Sequence, residues 1–194
     1  MSSAQLRASP PDGAARHEKI RAREAELERR VGMYRSRRTG APLRMLLADG
    51  KLRTGGGTEL VPIGERTFRF GASPTRVEFV DGTPMQVRIV YPDADTVFYE
   101  PAAPADSSAA NLATYAGEYR SDEAEATYTA EVVDGALVLK MRPSATFRLT
   151  PTYADAFSGP GGSIIRFIRG ADGRVQAFTF GTDRVRELRF DRVR

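Results

Sequence analysis

The sequence predicts an all-β protein of two small up-and-down antiparallel β-barrels in tandem, preceded by a charged helix. Three observations carry that prediction. The chain repeats itself: Gly32, Tyr34, Arg35 and Ser36 return as Gly117, Tyr119, Arg120 and Ser121, and Asp49, Gly50 and Leu52 return as Asp134, Gly135 and Leu137, each 85 positions on. Alternating apolar and polar runs follow Tyr34, with the two-residue period of strands that bury one face. Turn signals close most runs, so successive strands are joined by short connections and are antiparallel. About eight such strands in sequence leave two open edges as a flat sheet, and closure into a barrel removes both.

Residues 1 to about 13, with Ser2, Ser3, Pro10, Pro11 and Gly13, read as a lead-in that has no need to fold. Ala14 to Val31 is rich in Ala, Arg and Glu and free of Gly and Pro, which favours a helix, and Glu26 with Arg30 forms a favourable i,i+4 pair. The apolar stripe of that helix, Ile20, Leu27 and Val31, is narrow. The end of the helix belongs to the repeat, since Leu27 matches Leu112. The expected organisation is lead-in and helix over 1–26, a first barrel over 27–101, a linker over 102–110 marked by Pro104, Asp106, Ser107 and Ser108, and a second barrel over 111–194.

In the first unit strands are expected near 32–37, 42–48, 51–54, 58–63, 67–71, 75–80, 85–91 and 96–100. Asp49-Gly50 and Asp81-Gly82 fit the positive φ angles of type I′ hairpin turns. In the second unit the strands fall near 117–121, 127–133, 136–141, 146–150, 153–157, 163–169, 175–180 and 185–193.

Composition narrows the chemistry. The absence of cysteine excludes a disulfide framework and a thiolate zinc site. The net charge of +4 invites a nucleic-acid reading, but the 29 basic residues alternate with carboxylates along nearly every segment, as in Arg184, Arg186, Arg189 and Arg192 with Asp183, Glu187 and Asp191. That is the pattern of a solvated mixed-charge face, so nucleic acid is not an expected partner. No apolar run is long enough for a membrane span, and Met1 to Pro11 lack the apolar core of a signal peptide. As written, the chain is expected in the cytoplasm.

The motif Leu112-x-x-Tyr115-x-Gly117-x-Tyr119-Arg120-Ser121-Asp122, followed by Tyr128, Val132-x-Asp134-Gly135-x-Leu137-x-Leu139, Leu149-Thr150-Pro151 and Asp155-x-Phe157, resembles the C-terminal lipocalin-like region of β-lactamase-related, penicillin-binding-protein-like serine hydrolases. The first unit, through Tyr34-Arg35-Ser36, Thr39-Gly40, Asp49-Gly50-x-Leu52 and Leu60-Val61-Pro62, resembles the preceding segment of the same tail. The resemblance covers about residues 27 to 193. It implies a non-catalytic, cofactor-free barrel module that follows a hydrolase domain in bacterial enzymes, and a periplasmic or secreted location if that hydrolase is exported. The catalytic domain itself has no counterpart here, because no serine is followed three positions later by lysine: Ser36 leads to Thr39, Ser73 to Arg76, Ser121 to Ala124 and Ser144 to Phe147.

Other candidates are weaker. His17 is the only histidine and sits on the charged helix, a poor platform for a general base. Asp93 and Asp95 are too few for a calcium loop and fit a turn beside Pro92. Gly55-Gly56-Gly57 and Gly159-Pro160-Gly161-Gly162 lack the Lys-Ser/Thr of a phosphate loop and read as hairpin loops, and Asp122, Glu123 and Glu125 are loop carboxylates without a fixed separation. Gly32, Tyr34, Arg35 and their counterparts Gly117, Tyr119, Arg120 form the structural repeat motif, with tyrosine inward and arginine outward. Arg184 and Arg186 share parity with Leu188 and Phe190 and are the ligand-binding candidates at a barrel mouth. The expected function is a non-enzymatic accessory module packing on, or bordering the active site of, a β-lactamase-like hydrolase domain in cis or trans. The alternative is a lipocalin-like binder of a small apolar or amphipathic ligand, which requires a cavity of roughly 300 Å³ or more.

Overall fold

The computed structural model describes residues 12–141, 143–182, 184–185 and 187–193. Helix α1 (Asp12–Glu28) precedes strands β1 (Gly32–Ser36), β2 (Pro42–Ala48), β3 (Lys51–Thr54), β4 (Leu60–Pro62), β5 (Thr67–Phe70), β6 (Arg76–Val80), β7 (Gln86–Val90) and β8 (Thr96–Pro101). Except for β3 and β4, each strand pairs with the next in antiparallel fashion, and β8 returns to β1, so the eight-stranded sheet curls into a nearly closed barrel with its seam between β3 and β4. Helix α2 (Ala109–Thr114) opens the second unit, followed by β9 (Gly117–Ser121), β10 (Ala126–Val133), β11 (Ala136–Met141), β12 (Ala145–Arg148), β13 (Thr150–Pro151), β14 (Ala156–Ser158), β15 (Ile164–Arg169), β16 (Val175–Gly181) and β17 (Leu188–Arg192). Here β17 returns to β9, and the nine-stranded sheet has its seam between β12 and β13.

The two seams are built differently. In the second barrel β12 pairs with β11 over four register positions, Leu149 N–H donates to the Leu137 carbonyl at 2.9 Å, and β13 then passes to β14, so one extended segment stitches both edges. In the first barrel Gly55-Gly56-Gly57 occupies the corresponding stretch, and a single bridge between Arg53 and Glu59 crosses the seam.

Alternating residues fill each barrel. Tyr34, Met45, Leu52, Leu60, Phe68, Val77, Phe79 and Val87 are buried in the first, and Tyr119, Leu137, Leu149, Phe157, Ile165, Phe167, Phe178 and Phe190 in the second. The aromatic content of the second core is higher, with Phe178 stacked on Phe190 at 4.8 Å. The repeated Asp-Gly turns have the expected geometry, with φ of 54° and 68° at Asp49-Gly50 and 48° and 70° at Asp134-Gly135, values that favour Gly in the second place.

Several boundaries differ from the sequence reading. Helix α1 ends at Glu28 rather than Val31, and Arg30 and Val31 turn into β1. Residues 109–114, at the end of the expected linker, form α2, which Ser108 caps by accepting from Asn111 N–H at 3.3 Å. The expected strand 153–157 shortens to β14 because Asp155 adopts a φ of 59°, and the expected strand 185–193 begins only at Leu188 because Glu187 adopts 54°. Asp81-Gly82 does not make a two-residue turn: Val80 pairs with Gln86, leaving a five-residue loop that contains a cis Thr83–Pro84 bond. The lead-in over residues 1–11 lies outside the described residues, as do the side chains of His17 and Ile20. Among the described residues no helix is long and apolar enough to cross a membrane.

The units touch through the segment that joins them. Ala154 N–H donates to the Ala103 carbonyl at 2.9 Å, Pro104 bridges to Tyr153, and the Tyr153 hydroxyl donates to the Gly40 carbonyl at 2.7 Å. A Cβ at Gly40 would sit 3.1 Å from that hydroxyl, on a backbone with φ of 72°, so this close approach favours glycine.

Candidate functional site

Each barrel has a mouth capped by the helix that precedes it, and the two caps use one device. The Tyr34 hydroxyl donates to the Arg30 carbonyl at 3.1 Å, and the Tyr119 hydroxyl donates to the Tyr115 carbonyl at 2.7 Å. The repeated tyrosine thus ties the chain entering its strand to the barrel interior. Burial pushes the phenol of Tyr34 up and that of Tyr119 up to about 12, with Arg30 and Arg192 respectively opposing the shift.

The residue four places earlier then plugs the mouth, and there the copies part. Tyr115 packs its ring 5.3 Å from Phe157 and 4.6 Å from Phe167. Arg30 sets its guanidinium 5.4 Å from the Phe68 ring and 5.3 Å from Phe79. These phenylalanines are equivalent, since Phe79 N–H bonds the Arg66 carbonyl as Phe167 N–H bonds the Asp155 carbonyl. The flanking ion pair is reversed: Arg66 with Asp81 in the first unit, Asp155 with Arg169 in the second.

Around Tyr115 the polar groups are satisfied. Its hydroxyl donates to Asp155 Oδ1 at 2.7 Å and accepts from Asn111 Nδ2 at 3.1 Å; Arg169 Nε donates to the same carboxylate oxygen at 2.8 Å and lies 5.2 Å over the Tyr115 ring. Arg30 is only 3% exposed and its Nη2 donates to Glu26 Oε1 at 3.0 Å and to the Glu65 carbonyl at 3.1 Å. Its Nε is buried without a partner. Beside it, between α1 and the β3–β4 seam, opens a groove of about 510 Å³ lined by Leu27, Leu52, Leu60, Pro62 and Phe68 together with charged rim residues such as Lys51 and Glu59.

A smaller polar cleft of about 160 Å³ lies between the barrels, lined by Arg35, Arg37, Arg38, Gly40 and Glu100 from the first and by Tyr153, Arg166 and Glu187 from the second. Arg35 Nε donates to Glu100 Oε1 at 2.9 Å and Arg37 Nε to Oε2 at 3.3 Å, so one carboxylate faces two guanidiniums. The hydrogen bond from Arg35 is the main reason the Glu100 carboxyl is held below its ordinary value. Arg38 pairs with Asp95 at 3.3 Å and Arg166 with Glu187 at 2.8 Å. Among the described residues, Arg35, Arg37, Arg38 and Arg166 face Glu100, Asp95 and Glu187, which leaves one positive charge in excess.

The structure places the sequence-derived candidates as follows. Tyr34 and Tyr119 are buried, Arg35 lines the cleft, and Arg120 is exposed beside Asp122 at 3.1 Å. Arg184 lies in the loop before β17, exposed, its N–H bonded to Thr182 Oγ1 at 3.2 Å; strand parity with Leu188 does not extend to it, and Arg186 lies outside the described residues. Ser36 and Ser121 accept backbone N–H groups of Thr39 and Ala124, and Asp93 accepts from Asp95 N–H in the turn after Pro92. Sequence reasoning placed Arg30 in a helix-surface ion pair, although the repeat offset already set it opposite Tyr115. Neither a scan against protein-family models nor a search of the curated proteins finds a match for this chain.

Proposed function

We propose that the chain is a non-catalytic interaction module whose working surface is the cleft between its barrels, and that its partner is the catalytic domain of a β-lactamase-like serine hydrolase. The convergence of Arg35, Arg37 and Arg166 from two units on one small polar cleft carries this reading, because nothing in the packing of either barrel requires them to meet. Two guanidiniums on one carboxylate leave a fork ready for a carboxylate from a partner. The motif resemblance supplies the partner class. The serines support a non-catalytic role: Ser36, Ser121 and Ser108 are engaged with backbone N–H groups at turns and a helix cap, and none is followed by a lysine in the activating position.

Titration calorimetry with a separately produced Ser-x-x-Lys hydrolase domain from the same genome tests this. Binding that weakens about tenfold in Arg35→Ala/Arg37→Ala supports the proposal, in line with the loss of a charge-assisted pair. No heat of binding at concentrations up to about 100 µM, a weak-affinity limit of about 5.5 kcal/mol, overturns it.

A further inference from the structure

The mouth of the first barrel carries an inference independent of the hydrolase partner. We propose that the groove between α1 and the β3–β4 seam is a binding site for a small amphipathic molecule with an alkyl body and a carboxylate head, such as a medium-chain fatty acid.

The duplication supplies an internal control. In the second barrel the plug is the aromatic ring of Tyr115, whose hydroxyl meets Asp155 and Asn111, and the seam is stitched by β12 and β13. In the first barrel a guanidinium takes the ring's place on the equivalent phenylalanine pair, and one bridge crosses the seam. A guanidinium has a smaller face than a phenol ring and covers less of the phenylalanine pair beneath it. The outcome is a groove of about 510 Å³, within the range of small-ligand sites, with Leu27, Leu52, Leu60 and Phe68 along it.

The head group follows from Arg30. A buried donor without an acceptor is costly, and Nε of Arg30 is in that position while its Nη2 is engaged. A ligand oxygen entering beside Arg30 relieves it once the side chain turns Nε from its buried position toward the groove, and a carboxylate does so with a charge-assisted bond. Formal charges on the groove lining balance, with Arg23, Arg30 and Lys51 against Glu26, Glu59 and Glu65. The selectivity for an acceptor therefore comes from the orphan N–H rather than from the overall field.

The test is calorimetry of the whole chain with dodecanoate and, separately, with dodecyltrimethylammonium, which has the same tail and no acceptor. Dodecanoate is expected to bind with a dissociation constant at or below about 100 µM, and the ammonium at least about tenfold more weakly. Arg30→Tyr recreates the second barrel's plug and is expected to weaken dodecanoate binding at least about tenfold with the thermal midpoint retained. Pro62→Trp fills the groove from its exposed rim without touching the core and is expected to do the same. Absence of dodecanoate binding at 1 mM, on the order of the weakest useful affinity, overturns the proposal, as does equal binding of the two detergents or of the folded Pro62→Trp protein.

Discussion

The two barrels share a frame and differ at the plug. Both hang a buried tyrosine from the carbonyl four residues before it, and both set a plugging side chain on a pair of phenylalanines. With Tyr115 the mouth is packed and its polar atoms are paired; with Arg30 the same position holds a buried cation with an idle donor and a groove at its side. A duplicated fold can therefore keep its architecture through one copy's hydrophobic seal while the other copy gives up some packing for a polar group in an apolar wall. On the proposed reading of the groove, stability and ligand binding are divided between the copies.

The largest effect that breaks this comparison is expected from Tyr115→Ala. It removes the ring from between Phe157 and Phe167 and leaves Asp155 and Asn111 without their hydroxyl, at a cost of about 3 to 5 kcal/mol in chemical denaturation. Alkaline pH comes next. Tyr119 is neutral in the folded protein with its pKa raised to about 12, so the stability it contributes is complete below its ordinary value of 10 and is lost as pH rises from there toward 12. That loss is on the order of 2 to 3 kcal/mol, and a stability profile of Tyr119→Phe is expected to be correspondingly flatter. Asp155→Ala strips the acceptor from Tyr115 and Arg169 together and is expected to cost about 2 kcal/mol, whereas Asp81→Ala in the reversed, exposed pair of the first barrel is expected to change stability by less than about 0.5 kcal/mol. At the junction, Tyr153→Phe deletes the hydroxyl contact with Gly40 and is expected to cost about 1 kcal/mol, less than Asp155→Ala, read as a lowered thermal midpoint.

Most strand positions were legible because burial of one face writes a two-residue period, and because Asp49-Gly50 and Asp134-Gly135 demand a particular turn. The strand that fails, 153–157, fails at Asp155, whose left-handed φ serves the Tyr115 hydroxyl and Arg169, a tertiary need that local pattern does not record. Helix α2 was hidden by its length of six residues, too short to show a helical period, although Ser108 marks its cap. The mouth residues were half legible. The offset that aligns Tyr34 with Tyr119 also aligns Arg30 with Tyr115, but an arginine after a charged helix reads as solvated until the phenylalanines beneath it are seen. The cleft between the barrels was not legible, because it depends on how the linker seats one unit against the other.

The division between a sealed and an open mouth is tested most directly by a two-dimensional amide NMR titration of the chain with dodecanoate. Shifts confined to Leu27, Arg30, Leu52, Leu60 and Phe68, with Leu112, Tyr115, Leu137, Leu149 and Phe157 unmoved, are the expected result. Equal shifts at both mouths, or none at the first, would contradict the account.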